Sequence, residues 1–320
     1  MKSSSSIVPV YLILLLLGML SSCKPVTVAP AYVGFEAENF ILPFRLGEPD
    51  TLWTMKKRLK EISGLAYHDG LLYANNDEDG TIFILSADDG RFIEDYDFAK
   101  DDDYEGIAYK DGIIYVVESN GNIHRVKAST KEKIDDVHTY LSKRNNVEGL
   151  SAGAEGKLIL ACKGEPENKK RDSDDISLYS FDIAKGHLDD EPYLIIETKD
   201  LLKDLQPVNM GDSPFEKLSV KQRVSDCRIS GIEQDPITGY YYLLSNTGKL
   251  LIVVDEESRI RGVYFLQRKI FQQPEGISFD TDGNLFISNE ARSHKANILT
   301  FKRKDMSGKT MPDSTDAKSQ

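Results

Sequence analysis

Cysteine is nearly absent: Cys23, Cys162 and Cys227 are the only three in 320 residues. A small scaffold stapled by several disulfides is excluded. What remains is one Cys162–Cys227 bridge in an oxidising compartment or, as the expected state, two ordinary buried thiols. Histidine is scarce as well, and none of His68, His124, His138, His187 and His294 falls in the paired spacing of a zinc or copper site. Positive charge is in deficit, 40 Lys+Arg against 52 Asp+Glu. Nucleic acid and anionic lipid surfaces are therefore poor partners, and cations are good ones. There is no Ser-His-Asp order, phosphate loop or cofactor fingerprint, and no amphipathic stretch of helical length apart from a short one around residues 215–224. The single tryptophan, Trp53, and the many tyrosines read as packing residues.

Only one long apolar run occurs. It covers residues 7–20, follows Lys2 and leads into "LSSC" at Cys23, too short for a comfortable membrane span and laid out as a secretory signal. A leucine, two small residues and a cysteine resemble the bacterial lipobox. That resemblance implies cleavage before Cys23 and a diacylglycerol on its thiol; a signal peptide with an incidental cysteine is the alternative. The expected organisation is a lipoprotein signal peptide (1–22), a lipidated N terminus and tether rich in proline and small residues (23–37), one β domain (38–304) and a disordered tail almost without apolar residues (305–320). No aspartate follows Cys23 to suggest inner-membrane retention. In an envelope with two membranes the expected site is therefore the outer one, with the body a monomer outside the cytoplasm.

The β domain repeats itself. "ISGLAY", "YEGIAY", "VEGLSA", "ISGIEQ" and "PEGISF" are each followed by a glycine-led apolar partner: "GLLYANN", "GIIYVVE", "GKLILAC", "GYYYLLS" and "GNLFISN". The glycines of the first set, Gly64, Gly106, Gly149, Gly231 and Gly276, stand 42, 43, 82 and 45 residues apart. A period in the low forties with several strands per unit predicts a propeller. The expected fold is all-β, a five-bladed β-propeller, with six blades as the alternative because 82 is close to two periods. Five is favoured because 163–223 offers "ISLYSF" and "PYLIIET" as outer strands but no second glycine-led inner pair. Blade five lacks an outer strand, and an N-terminal strand within 39–53 is expected to fill it and remove the open edge.

In such a blade the start of the first strand and the end of the second lie at one face. One set of side chains at the channel mouth is then Ser63, Glu105, Glu148, Ser230 and Glu275. The other set is Asn75, Asn76 and Asp77; Glu118, Ser119 and Asn120; Lys163; Ser245 and Asn246; Asn289 and Glu290. Carboxylates facing one another across a narrow channel repel unless a cation or hydrogen bonds intervene. Calcium suits irregular oxygen ligands, and the expected ligand pool is Glu105, Glu148, Glu275, Asp77, Glu118, Asn289 and Glu290, with Ser63, Asn76, Lys163, Ser230 and Asn246 completing the mouth. The bland alternative is that each glutamate only accepts hydrogen bonds that close the ring. Lys163 reads as neutralising a carboxylate rather than binding an anionic substrate. "DEDG" and "DTDG" (77–80, 280–283) read as turns, since neither continues to the glutamate of an EF-hand.

The ordered phrases "LKEISGLAY", "DYEGIAY", "VEGL", "ISGIEQDPITGYYYLLSNTGKLLIVVD" and "QPEGISFDTDGNLFISNE" resemble the SdiA-regulated (YjiK-like) family of bacterial propellers over about residues 40–303. The resemblance implies a five-bladed propeller distantly akin to NHL repeats and a calcium site, and implies no biochemical role. Lys163 and the loop 164–175 do not map onto the family pattern. Two functions fit: a lipid-anchored binding module of the cell envelope for a protein or small ligand, or, by fold analogy with lactonase- and phosphoesterase-like propellers, a calcium-dependent hydrolase with Glu118 or Glu290 as general base. The binding module is preferred because no nucleophile and base are marked as a pair.

Overall fold

The computed structural model describes residues 32–164, 175–203, 205 and 220–305. Five separate antiparallel sheets follow one another along the chain. Blade 1 holds β3 (Ile62–His68), β4 (Leu71–Asn76), β5 (Thr81–Ser86) and β6 (Phe92–Asp97); blade 2 holds β7 (Tyr104–Lys110), β8 (Ile113–Glu118), β9 (Ile123–Lys127) and β10 (Glu132–Val137). Blade 3 holds β11 (Val147–Ala152), β12 (Lys157–Cys162) and β13 (Ile176–Asp182), with the short β14 (His187–Leu188) and β15 (Leu194–Ile196) both pairing with β13. Blade 4 runs from β16 (Ile229–Gln234) through β17 (Tyr241–Ser245) and β18 (Leu250–Val254) to β19 (Ile260–Phe265), and blade 5 from β20 (Pro274–Phe279) through β21 (Leu285–Asn289) to β22 (Asn297–Phe301). The structure is thus a five-bladed propeller, and the 82-residue interval holds the outer strands of blade 3 and two short helices, α1 (Thr198–Lys203) and α2 (Val220–Ser225).

The ring closes at the expected place. β2 (Thr51–Thr54) pairs antiparallel with β22, Thr51 opposite Thr300 and Thr54 opposite Asn297. A further strand, β1 (Tyr32–Glu36), adds to the outer edge of blade 4 through β19. The stretch expected to be tether therefore enters the sheet six residues before residue 38. Cys23, the leader and the tail beyond residue 305 lie outside the described residues.

The inner strands of each blade are covered on both faces, which is why they read as continuous apolar runs rather than alternations, while β10 at the rim is exposed. Tyr241 and Leu243 enter the seam between blades 3 and 4, while Tyr242 and Leu244 enter that between blades 4 and 5. The core is accordingly five apolar layers, one per seam. Phe40, Leu42, Phe44 and Leu46 extend the layer between blades 4 and 5, so the N-terminal segment is part of the core. Two-residue hairpins join the inner strand pairs of blades 1 and 2. Asp69-Gly70 and Asp111-Gly112 have φ of 46° and 76°, and of 52° and 80°, the doubly positive turn that suits the twist of a tight hairpin. Cys162 and Cys227 are both buried and form no disulfide.

Candidate functional site at the channel mouth

The residue before each repeated glycine sits on a β-bulge. In blade 2, Tyr104 faces Glu118 and Gly106 faces Val117, leaving Glu105 unpaired. Glu148 and Ser230 are left out in the same way in blades 3 and 4, and the ladders of blades 1 and 5 shift at Ser63-Gly64 and Glu275-Gly276. A bulge turns the extra side chain out of the ladder. The neighbouring glycines have a separate reason: a Cβ on Gly64, Gly106, Gly149, Gly231 or Gly276 would lie 2.8 Å from Ile107 N, 2.8 Å from Leu150 N, 3.0 Å from Ile232 N, 2.3 Å from Glu275 O and 2.7 Å from Ser63 O respectively. Each contact is to the inner strand of the next blade, and the fifth returns to the first.

Glu105, Glu148, Ser230 and Glu275 line one narrow axial cavity of about 10 Å³, backed by Leu65, Ile107, Leu150, Ile232 and Ile277. The two serines serve ring closure: Ser63 Oγ donates to Glu105 O and Ser230 Oγ to Pro274 O, both at 2.8 Å. The glutamates are left to face the cavity. Burial, then the charges of Glu148 and Asp103, push the Glu105 carboxyl up to about 9. Burial and the charge of Glu148 push Glu275 up to about 8. Burial raises Glu148 too, against the pull of Lys163 and Asn146, whose Nζ and Nδ2 donate to Glu148 Oε1 at 2.8 and 2.5 Å. Burial works against the Lys163 ammonium, but Glu148, Glu275 and Glu105 outweigh it and raise its pKa.

Asn246 joins the ring by donating its Nδ2 to Glu275 Oε1 at 2.7 Å. Behind it, buried Lys249 donates to Asn246 Oδ1 at 2.5 Å and to Gln272 O at 2.7 Å, and burial lowers this lysine to about 7. A second acidic group lies where blade 5 meets blade 1. Burial and the charges of Glu61 and Glu78 push Asp77 up to about 6, and burial with Asp77 and Glu61 pushes Glu290 up to about 7. Gln273 Nε2 donates to Glu290 Oε2.

Two residues of the expected ligand pool, Glu118 and Asn289, and one of the expected mouth, Asn76, have side chains engaged elsewhere. Glu118 is drawn outward along blade 2: Oε1 lies 2.7 Å from His124 Nε2, and Oε2 accepts from Asn120 and Asn122 at 2.6 and 3.0 Å. His124 Nδ1 in turn lies 2.6 Å from Asp136 Oδ1. Burial alone would raise the Glu118 carboxyl, and these hydrogen bonds bring it below its ordinary value. Asn76 donates to Arg58 O at 2.7 Å and Asp79 Oδ2 at 3.0 Å, and Asn289 to Ile270 O at 3.2 Å and Asn297 Oδ1 at 3.0 Å. Both amides brace their own blades. Sequence reasoning missed Asp103, which accepts from Ser119 Oγ, as well as Asn146 and Lys249. Asp103 and Asn146 each stand two residues ahead of a ring glutamate, a repeated offset that was there to be read; Lys249 carries no such mark.

The three ring glutamates do not by themselves form a calcium ligand set. Glu148 and Glu275 are met by N–H groups of Lys163, Asn146 and Asn246, whereas Asn76 Oδ1, Asp77 Oδ1, Gln273 Oε1 and Asn289 Oδ1 are buried without a hydrogen-bond partner. Among the described residues no group of three or more His, Cys, Asp or Glu side chains is gathered to hold a metal.

The chain is similar in structure to the luciferin-regenerating enzyme (TM-score 0.47, 10% identity, 81% of this chain and 96% of that chain covered). It is also similar to Kuenenia stuttgartiensis hydrazine synthase (0.46, 13%, 76% and 83%) and Myxococcus xanthus glutaminyl cyclase (0.41, 14%, 63% and 71%). Likeness at this level carries no argument about function. No curated protein matches the sequence. The SdiA-regulated family model matches residues 51–293, which takes in all five blades from the closing strand β2 to the end of β21. The chain belongs to the SdiA-regulated family.

Proposed function

We propose that the protein is a binding module held on the cell envelope by a lipid on Cys23, with the acidic channel mouth as its ligand-facing surface and a positively charged group as the complementary feature of its ligand. One observation supports this above others: Asp77, Glu105, Glu275 and Glu290 gather at one end of the ring, and each carboxyl is pushed up by burial and by like charge. Such a surface is improved by an incoming cation and worsened by an incoming anion. A hydrolase reading has less support. Glu118, offered as a general base, has both oxygens engaged inside blade 2.

The test uses the full chain in detergent and labelled oligolysine and oligoglutamate peptides, read by fluorescence anisotropy. Oligolysine binds, weakens as salt rises, and loses about tenfold in affinity in Glu105→Gln/Glu290→Gln, roughly 1.4 kcal/mol. Equal binding of both peptides, or oligolysine binding untouched by the double substitution, refutes the mouth as the site. In the same preparation Cys23→Ser moves the protein out of the membrane fraction if the lipid is its anchor.

A further inference from the structure

A net charge of -12 speaks against an anionic surface only where the charge is evenly spread, and across blades 4 and 5 it is not. Two connections of these blades lie at the mouth face, residues 266–273 between β19 and β20 and residues 290–296 between β21 and β22. They carry Arg268, Lys269, Arg292 and Lys295, all exposed, and a single carboxyl, Glu290, which is met by Gln273. The hairpins at the opposite end of the same strands, 235–239, 255–259 and 280–283, hold Asp235, Asp255, Glu256, Glu257, Asp280 and Asp282 against Arg259. At the mouth face itself the exposed acids Glu78, Asp79, Asp101, Asp102 and Asp103 stand over blades 1 and 2. Among the described residues Lys269, Arg292 and Lys295 make no ion pair, whereas Arg58 and Lys60 are held by Asp95 and Glu61.

The direction of β1 brings the chain's N-terminal side to the same place. Tyr32 pairs with Phe265 and Glu36 with Gly262, so β1 begins beside the end of β19, three residues before Arg268 along the neighbouring strand. Cys23 is nine residues ahead of Tyr32, a reach of at most about 30 Å. Had β1 run the other way, the basic connections would stand farther from the anchor by the height of a blade, about 20 Å for six residues. We propose that the mouth-face rim of blades 4 and 5 is a docking surface for an anionic membrane, which holds the propeller tilted with this rim down and the acidic sector over blades 1 and 2 turned to solvent. The inference rests on the lipid at Cys23, which supplies the proximity. The four cations supply the orientation, through an attraction to anionic headgroups that fades within a Debye length.

The test uses the full chain, reconstituted from detergent into vesicles of phosphatidylcholine alone or mixed with phosphatidylglycerol. A fluorophore is attached through Ser293→Cys on the basic rim or Thr281→Cys on the opposite hairpin, and is quenched by a nitroxide on the lipid headgroups. Cys162 and Cys227 are buried, so the chain without either substitution takes up no label when the Cys23 thiol is acylated. If it does take up label, the lipid reading fails, and the two positions are then compared in Cys23→Ser. In mixed vesicles the Ser293 position is quenched more strongly than the Thr281 position. That excess is lost in phosphatidylcholine alone, in high salt, and in Arg268→Gln/Lys269→Gln/Arg292→Gln/Lys295→Gln. Lys127→Gln/Lys131→Gln/Lys157→Gln/Lys185→Gln removes as much charge from the opposite face and leaves the excess in place. Equal quenching at the two positions, no quenching at either, or stronger quenching at Thr281 overturns the inference. So does an excess at Ser293 that survives without phosphatidylglycerol or with the rim substituted, or one that both sets of substitutions abolish.

Discussion

Glu105 and Glu275 hold protons that the unfolded chain has already released. Their carboxyls stand at about 9 and about 8, raised first by burial and then by the charge of Glu148, against 4.5 for an ordinary glutamate. For a raised carboxyl the linked stability is fully present below the unfolded value and is lost as pH rises through the folded one. The urea midpoint of wild type is therefore expected to fall between about pH 6 and about pH 9.5, and Glu105→Gln/Glu275→Gln should flatten that slope. A wild-type midpoint that holds or climbs over this range would contradict the placement of these protons. Glu118 and Asp136 act in the other direction. Both are lowered by hydrogen bonds and by His124 despite their burial, so the stability they supply disappears on acidification. What could be read at this scale was the position of each side chain along its blade, because the offset from the repeated glycine is a local property. The direction of the Glu118 side chain could not be read so. It is set by His124 on the adjacent strand β9, a residue outside the repeated phrases.

The bulged inner strand is the element that makes the ring. Its two marked positions have different physical duties, the first aiming a side chain and the second removing one. Gly231 shows this most sharply, since a Cβ there meets a backbone oxygen of β20 at 2.3 Å and no side-chain rotation can relieve it. Gly231→Ala is expected to cost about 1–3 kcal/mol in chemical denaturation, with the neighbouring seam between blades 4 and 5 loosening first in hydrogen exchange. A loss under about 0.5 kcal/mol would show that the inner strands have room to separate. The repeated phrases made four of the five blades legible, since hairpin, bulge and glycine fall within twenty residues of one another. Blade 3 was harder because β13 and β15 are separated from the inner pair by a long charged stretch of sequence and carry only apolar runs. β1 was missed outright: "YVGFE" follows a proline-rich stretch, and its pairing with β19 is a contact across more than two hundred residues that no local pattern announces.

At the scale of the molecule, the N-terminal segment fastens two neighbouring blades in different ways. β2 completes blade 5, while β1 only widens blade 4 beyond its fourth strand. A chain beginning at residue 38 keeps β2 and should elute as a compact monomer with a lowered melting temperature. One beginning at residue 56 loses the closing strand, leaves β22 with an open edge and should self-associate. Similar elution of the two on size exclusion would mean that blade 5 does not depend on β2. Trp53 adds to that dependence, because it packs against Phe286 across the closing strand at 5.9 Å between ring centres.

The pairing of Thr51 with Thr300 joins residues 249 positions apart, and this imposes an order on biogenesis. At a synthesis rate of roughly 5–20 residues per second, β2 leaves the ribosome about 12–50 s before its partner exists. The first four blades can be assembled during that interval, but the circle cannot be completed until nearly the whole chain has been made. A chain threaded across a membrane while still being made crosses it unclosed, and the last hairpin to arrive is the one that locks the molecule.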